Sequence, residues 1–110
     1  MKRQLTITKK AIDEASLLAG RAVSGGAGAV VYFTGVVRGT EKGAAIEAIE
    51  YEAFEKMAER QFGLLFDEME KRWPVESVRL VHRIGMVPVN EPSLWVEIIA
   101  PHRGEASSTE

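Results

Sequence analysis

Gly28-Ala29-Val30-Val31-Tyr32-Phe33-Thr34-Gly35-Val36-Val37-Arg38-Gly39 is the longest apolar run of the chain, and it ends abruptly in a charge. Apolar residues fall on both faces of a period-2 pattern, β-branched and aromatic types are enriched, and glycines stand at both ends. That combination describes a central strand covered on both sides. A buried helix is the weaker alternative, because Gly35 sits in mid-run, where glycine costs a helix roughly 1 kcal/mol relative to alanine. A strand here delivers Arg38 to the point where the sheet meets a loop, a common place for ligand chemistry.

Upstream, Gln-Leu-Thr-Ile-Thr over residues 4–8 alternates as a short strand, and Thr8 is placed to cap a helix over residues 9–23. Ile12, Ala15, Ala19, Ala22 and Val23 make its apolar stripe, and Ser24-Gly25-Gly26 stops it. Downstream, Gly39-Thr40-Glu41-Lys42-Gly43 is a polar loop that carries Lys42 near Arg38. Residues 46–53 start apolar on even positions and switch to odd ones at Ile49, as a bulged strand would, and are expected to pair with the organising strand as a hairpin. From Phe54 to Trp73 the positions Phe54, Met57, Ala58, Phe62, Leu65, Phe66, Met69 and Trp73 follow a 3.6 period, and Pro74 ends the helix they define.

Val78, Leu80, His82 and Ile84 alternate with Arg79, Val81 and Arg83 as a strand. A turn region over residues 85–92 follows, then a last strand, Leu94 to Ala100, that runs into Pro101-His102-Arg103. Residues 104–110 read as a frayed polar tail. Strands and helices in this order predict one α+β domain over residues 1–110, a mostly antiparallel sheet with helices packed on one side.

Composition narrows the chemistry. The chain has 110 residues, enough for one core, and apolar and charged fractions ordinary for a globular protein. With no cysteine it offers neither a disulfide, a zinc-thiolate site nor a thiol nucleophile, and two histidines exclude a three-histidine metal site. No metal or other cofactor is expected on it. A formal charge of -2 gives no general attraction for nucleic acid or an anionic membrane, so an anion site must come from a local cluster. No run approaches a membrane span and the N-terminus lacks a signal-peptide core, so a cytoplasmic location is expected.

Three constellations are candidates for function. Arg38, His102 and Arg103 form an anion pocket if the organising strand and the last strand end at the same side of the sheet; otherwise they are solvated residues at strand ends. His82 points with Val78, Leu80 and Ile84, and a satisfied, half-buried histidine is its better reading. Glu47, Glu50, Glu52 and Glu55 spread over a strand, its switch point and a helix start, which suits a solvated face rather than a general acid/base pair. The glycines make no dinucleotide or Walker pattern.

Taken together, the segments resemble the large, catalytic subunit of molybdopterin synthase. The run Gly28-Ala29-Val30-Val31 through Phe33, Gly35, Val37 and Arg38 is similar to that family's Gly-Ala-Val-x-x-Phe-x-Gly-x-Val-Arg. Ile49-Glu50-Tyr51-Glu52-Ala53-Phe54 with Met57-Ala58 is similar to its Leu-Glu-Tyr-Glu-Ala-Tyr-x-x-Met-Ala. Arg72-Trp73-Pro74 with His82-Arg83-Ile84-Gly85, and His102-Arg103 with Glu105-Ala106, follow in the family's order. The resemblance implies an α/β-hammerhead-like fold and a central homodimer in a heterotetramer. It also implies a small ubiquitin-like sulfur-carrier subunit whose Gly-Gly thiocarboxylate tail enters a pocket. Sulfur then passes to cyclic pyranopterin monophosphate in molybdenum cofactor biosynthesis.

By position, Arg38, His102 and Arg103 match the family's catalytic and substrate-binding residues, and Lys42 is a further substrate-binding candidate. The family pattern continues beyond its His-Arg pair into a lysine-bearing segment that residues 1–110 do not contain, so the resemblance is to a shortened member. Its alternative role is that of a non-catalytic relative that dimerises or binds the carrier. Pro101 before His102, Ser107 after Ala106, and Asn90-Glu91-Pro92 in place of a Gly-Glu turn depart from the family pattern.

Overall fold

The computed structural model describes residues 1–41, 44–45, 48–51 and 55–101. The apolar run forms β2 (Ala29–Val36), as its composition requires, but β2 lies at the rim of the sheet and not at its centre. The main sheet has four strands in the order β1 (Lys2–Thr8), β6 (Ser77–Arg83), β8 (Pro92–Ala100) and β2. β8 is its most enclosed strand, with Trp95, Glu97, Ile98, Ile99 and Ala100 all 2% exposed or less. β2 is apolar on both faces because one packs on the core through Ala29 and Val31, while the other sets Tyr32 against Trp95 with ring centroids 5.7 Å apart. Phe33 and Val36 remain about half exposed.

Register defines the sheet. β2 and β8 are antiparallel from Ala29 opposite Ala100 to Val36 opposite Pro92, with a shift between Gly35 and Val36. β6 and β8 are antiparallel from Ser77 opposite Ile99 to His82 opposite Leu94. β1 joins the outer side of β6 in parallel, Lys2 opposite Ser77 through Thr8 opposite Arg83.

The segment read as the hairpin partner of β2 goes elsewhere. β5 (Ala48–Tyr51) pairs antiparallel with β7 (Gly85–Pro88), which falls inside the stretch expected to be a turn. Gly85 makes this possible: its φ of 83° lies in the left-handed region, where a side chain would be strained. The chain can therefore leave β6 and start β7 after a single residue. A two-residue ribbon, β3 (Thr40–Glu41) with β4 (Ala44–Ala45), occupies the loop after Arg38.

The first helix, α1 (Glu14–Ala19), is much shorter than the 9–23 expected. Its cap is Asp13 rather than Thr8: Asp13 Oδ1 accepts from the Ser16 amide at 3.2 Å and Oδ2 from the Ser16 hydroxyl at 2.8 Å. Thr8 stays in the sheet, where its carbonyl accepts from the Ile84 amide at 2.8 Å, and its hydroxyl caps only the turn to Lys10. The second helix, α2 (Glu55–Arg72), matches the periodicity, and Pro74 follows its last turn. Its buried stripe is narrower than expected, since Phe66 and Met69 are enclosed while Met57 and Leu65 are largely exposed.

The helices occupy both faces, not one. α2 lies on the face of Val78, Leu80, Ile98 and Ala100, with Phe66 and Met69 in the same cluster. Alternation sends Arg79 to the opposite face. There its Nη2 donates to the Leu17 carbonyl of α1 at 2.6 Å. The same guanidinium grips Glu97 through Nε at 2.7 Å and Nη2 at 2.8 Å, and lies 5.1 Å from the Trp95 ring centroid. Glu97 is only 1% exposed, so this pair is what keeps a carboxylate tolerable in the core. The Tyr32 hydroxyl is buried near Glu97 and Arg21 without a hydrogen bond of ordinary geometry among the described residues. Burial pushes its phenol above the ordinary value near 10.

Two outcomes follow from this face. Glu97→Ala leaves a buried guanidinium without its counter-charge and is expected to lose about 3 kcal/mol in urea denaturation, whereas the pair replacement Arg79→Met with Glu97→Leu recovers most of it. Tyr32→Phe removes a buried hydroxyl without a good partner and is expected to leave stability unchanged or raise it by about 1 kcal/mol at neutral pH. Because the folded phenol titrates above the unfolded one, its contribution is complete below the unfolded value and is lost as pH rises through the folded value. Alkaline urea titrations should therefore show a loss of stability that Tyr32→Phe reduces.

Candidate functional site

Arg38 is carried by the segment that leaves β2. Beyond the shift at Gly35 and Val36, the chain is held by a different partner, the turn between β7 and β8. The Val37 amide donates to the Glu91 carbonyl at 3.2 Å, and the Asn90 amide donates to the Val37 carbonyl at 2.9 Å. The turn closes on itself through the Glu91 amide and the Pro88 carbonyl at 3.2 Å, with Asn90 at φ 70°, a left-handed value that asparagine tolerates. Val37 is 1% exposed. Arg38 follows it with its side chain at the surface, and a Cβ on Gly39 would meet Val89 at 3.8 Å. The arginine thus stands between a buried residue and one lying close to the turn, with its guanidinium in reach of an incoming anion.

Behind it lies a second arginine. Arg83, at the end of β6, is mostly buried, donates through Nη1 to Glu91 Oε1 at 2.7 Å, and approaches the Met86 carbonyl through Nη2 at 3.4 Å. Its Nε is buried without a partner among the described residues. Arg83 and Glu91 fall within the His82-Arg83 and Asn90-Glu91-Pro92 stretches, whose local pattern does not show their pairing. An arginine on the closed side of a strand, eight positions from a glutamate flanked by proline, was the available signal.

The strands that would carry the remaining candidates run in opposite directions. β2 and β8 are antiparallel, so the condition for one chain to join Arg38 with His102 and Arg103 is not met. Ala100, from which the chain runs through Pro101 toward His102, lies opposite Ala29 and accepts from the Gly28 amide at 3.0 Å. That is the start of β2, whereas Arg38 follows its end, roughly 23 Å away at about 3.3 Å per residue. His102, Arg103 and Lys42 themselves lie outside the described residues.

His82 is half-buried on the α2 face, with Nδ1 3.2 Å from the Ser93 carbonyl and its ring edge-on to Phe62 at 6.1 Å. It is the satisfied histidine expected. Glu50 and Glu55 are exposed, consistent with a solvated face, and Glu47 and Glu52 lie outside the described residues. Among the described residues there is no cluster of three or more side chains able to hold a metal ion, and no helix is long and apolar enough to cross a membrane.

Cavities elsewhere include two that border the sheet. One of about 370 Å³ is lined by Arg3, Ser24, Glu76, Arg79 and Glu97 among others, but its arginines are already matched, Arg3 to Asp67 and Glu70 and Arg79 to Glu97. The other, about 160 Å³ between α2 and the sheet, is lined by apolar side chains including Phe33, Leu65 and Leu94. The apolar cavity offers no cation, and the larger one is lined by Lys2 beside its paired arginines.

Comparison with known proteins places this geometry. Residues 7–109 match the family described as MoaE protein. The molybdopterin synthase catalytic subunit of Staphylococcus carnosus (strain TM300) is 42% identical over 79 residues, which cover 72% of this chain and 53% of that protein. The chain spans about half the length of the curated relatives it matches. The crystal structure of molybdopterin synthase from Staphylococcus aureus superposes with a TM-score of 0.85 at 34% identity, covering 99% of this chain and 78% of that one. A complex of subunits 1 and 2 of molybdopterin-converting factor from Helicobacter pylori shares the fold, with a TM-score of 0.77 at 22% identity over 96% of this chain and 70% of that one.

Proposed function

The chain belongs to the MoaE family, its match spanning residues 7–109, and from that premise we propose that it acts as the large subunit of a molybdopterin synthase. Sulfur passes from the C-terminal thiocarboxylate of a small ubiquitin-like carrier to cyclic pyranopterin monophosphate, making the dithiolene of molybdopterin. The relatives carry that name, and a two-subunit complex with this fold supports a small-subunit partner. The observation that carries the reading is that the family match runs through both arginine-bearing segments, with Arg38 presented at the surface beyond a buried anchor. Both reactants are anions, a phosphate and a thiocarboxylate, and a planar guanidinium suits either. Arg38 and Arg103 hold the phosphate or the carrier's tail, Lys42 adds a cation, and His102 moves a proton as the acyl group is released from sulfur to water.

The site is shared between two copies. Arg38 follows the end of β2, whereas β8 ends opposite the start of β2, so on this reading Arg38 of one protomer works with the partner's His102 and Arg103. A twofold axis crossing β2 brings those ends together, since it sets the finish of one β2 beside the start of the other.

Two experiments test this. With a thiocarboxylated carrier and the pyranopterin precursor, Arg38→Ala is expected to lower dithiolene formation roughly 10- to 100-fold, the worth of one charge-assisted contact. No product from the unaltered chain, under conditions where a longer relative turns over, would sink the catalytic reading; binding heat with the carrier alone would then assign it to docking. Separately, Arg38→Ala and His102→Ala proteins, each strongly impaired, are expected to regain about a quarter of full activity when mixed and allowed to exchange protomers, because half the dimers then hold one intact site. No recovery in mixtures shown to have exchanged would place both residues in the same chain's site.

A further inference from the structure

We infer that Arg83 and Glu91 are positioning residues for Arg38, acting through the backbone of Val37. The inference rests on the reading of Arg38 as an anion-binding residue. β8 holds β2 only as far as Val36, where the register shifts, so the strand's own ladder does not reach the arginine. What reaches it is the turn, through the two backbone hydrogen bonds between Val37 and the residues Asn90 and Glu91. A turn with a left-handed residue at its tip is held by few contacts and can relax in several directions.

The Glu91 carboxylate removes that freedom. Arg83 holds it at 2.7 Å from a guanidinium that is itself largely enclosed, with Nη2 directed at the Met86 carbonyl of β7. The same glutamate therefore joins β6 by its side chain and the Arg38 segment by its main chain. Its side chain is 44% exposed, so the carboxylate is not there to fill the core. Burying a guanidinium whose Nε finds no partner among the described residues is unfavourable, which argues for a geometric use of the pair. Loss of either charge is expected to leave the sheet intact, since neither residue belongs to the apolar cluster beneath α2. The Arg38 backbone would then sample orientations in which the guanidinium misses its anion.

The test uses the full chain, with inorganic phosphate as the probe. Amide exchange of Val37 and Asn90 and the phosphate dissociation constant are measured by NMR for the unaltered protein, Glu91→Ala, Glu91→Gln, Arg38→Ala and the double variant Glu91→Ala with Arg38→Ala. Glu91→Ala is expected to speed exchange at both amides at least about tenfold while core amides of β6 and β8 stay protected. It should weaken phosphate binding severalfold in the natural background and not at all once Arg38 is gone. Glu91→Gln keeps an acceptor oxygen and the turn's shape, and is expected to restore part of both effects should the alanine variant fold poorly. Unchanged exchange at Val37 and Asn90, or effects of Glu91→Ala and Arg38→Ala on phosphate that simply add, would overturn the inference. Phosphate binding that ignores Arg38→Ala would sink the anion-site reading instead, and the exchange rates would still decide whether the pair holds the segment.

Discussion

The antiparallel pairing of β2 with β8 is the constraint from which most of the rest follows. It puts an apolar strand against the most enclosed strand of the sheet, Tyr32 beside Trp95 on one face and Val31 over the core on the other. The same pairing decides where charge can go. Strands running in opposite directions send their C-terminal ends apart, so the arginine after β2 and the segment after β8 are separated by the length of the pair.

Among the described arginines, several are engaged by the fold, and Arg38 stands at the surface on a fixed stretch of backbone. Arg79 is spent on Glu97, the Leu17 carbonyl and the Trp95 ring, and it fastens α1 to the sheet. Arg3 binds Asp67 and Glu70 and fastens β1 to α2. Arg83 is enclosed against Glu91. Arg38 differs in having a buried neighbour, a main-chain anchor on a separate turn, and a side chain at the surface. Fixed backbone with accessible charge is the arrangement that recognition of an anion favours, because little order has to be created on binding.

Much of this was legible in the residues. The 3.6-residue period of Phe62, Phe66, Met69 and Trp73 located α2, and the alternation of Val78, Leu80 and His82 gave β6 its two faces and His82 its half-buried place. The errors have a common origin in long-range choices. An apolar run tells how much of a strand is covered but not by what, so β2 was expected at the centre although α2, Trp95 and β8 cover it at the rim. A strand's partner is set by register across distant segments, and β5 chose β7, made accessible by the left-handed Gly85, over the nearer β2. Thr8 looked like a helix cap because local chemistry cannot reveal that its carbonyl is engaged by Ile84. For the candidate site, the arginine and its exit from an apolar strand were readable; the Arg83–Glu91 brace joins residues whose meeting depends on a turn closing back over β2.

The parallel pairing of β1 with β6 has a kinetic side. Lys2 lies opposite Ser77, and the Met1 nitrogen meets Glu70 on α2, so β1 has no partners until the chain beyond α2 comes back to it. β6 and β8, by contrast, are separated by little more than β7 and a turn and can zip together early. β1 therefore docks across the longest loop in the sheet and carries the largest closure entropy of the three pairings. Until it docks, the outer edge of β6 is an open template, which makes the interval before closure the period when a nascent chain is most exposed to pairing with a neighbour of its own kind.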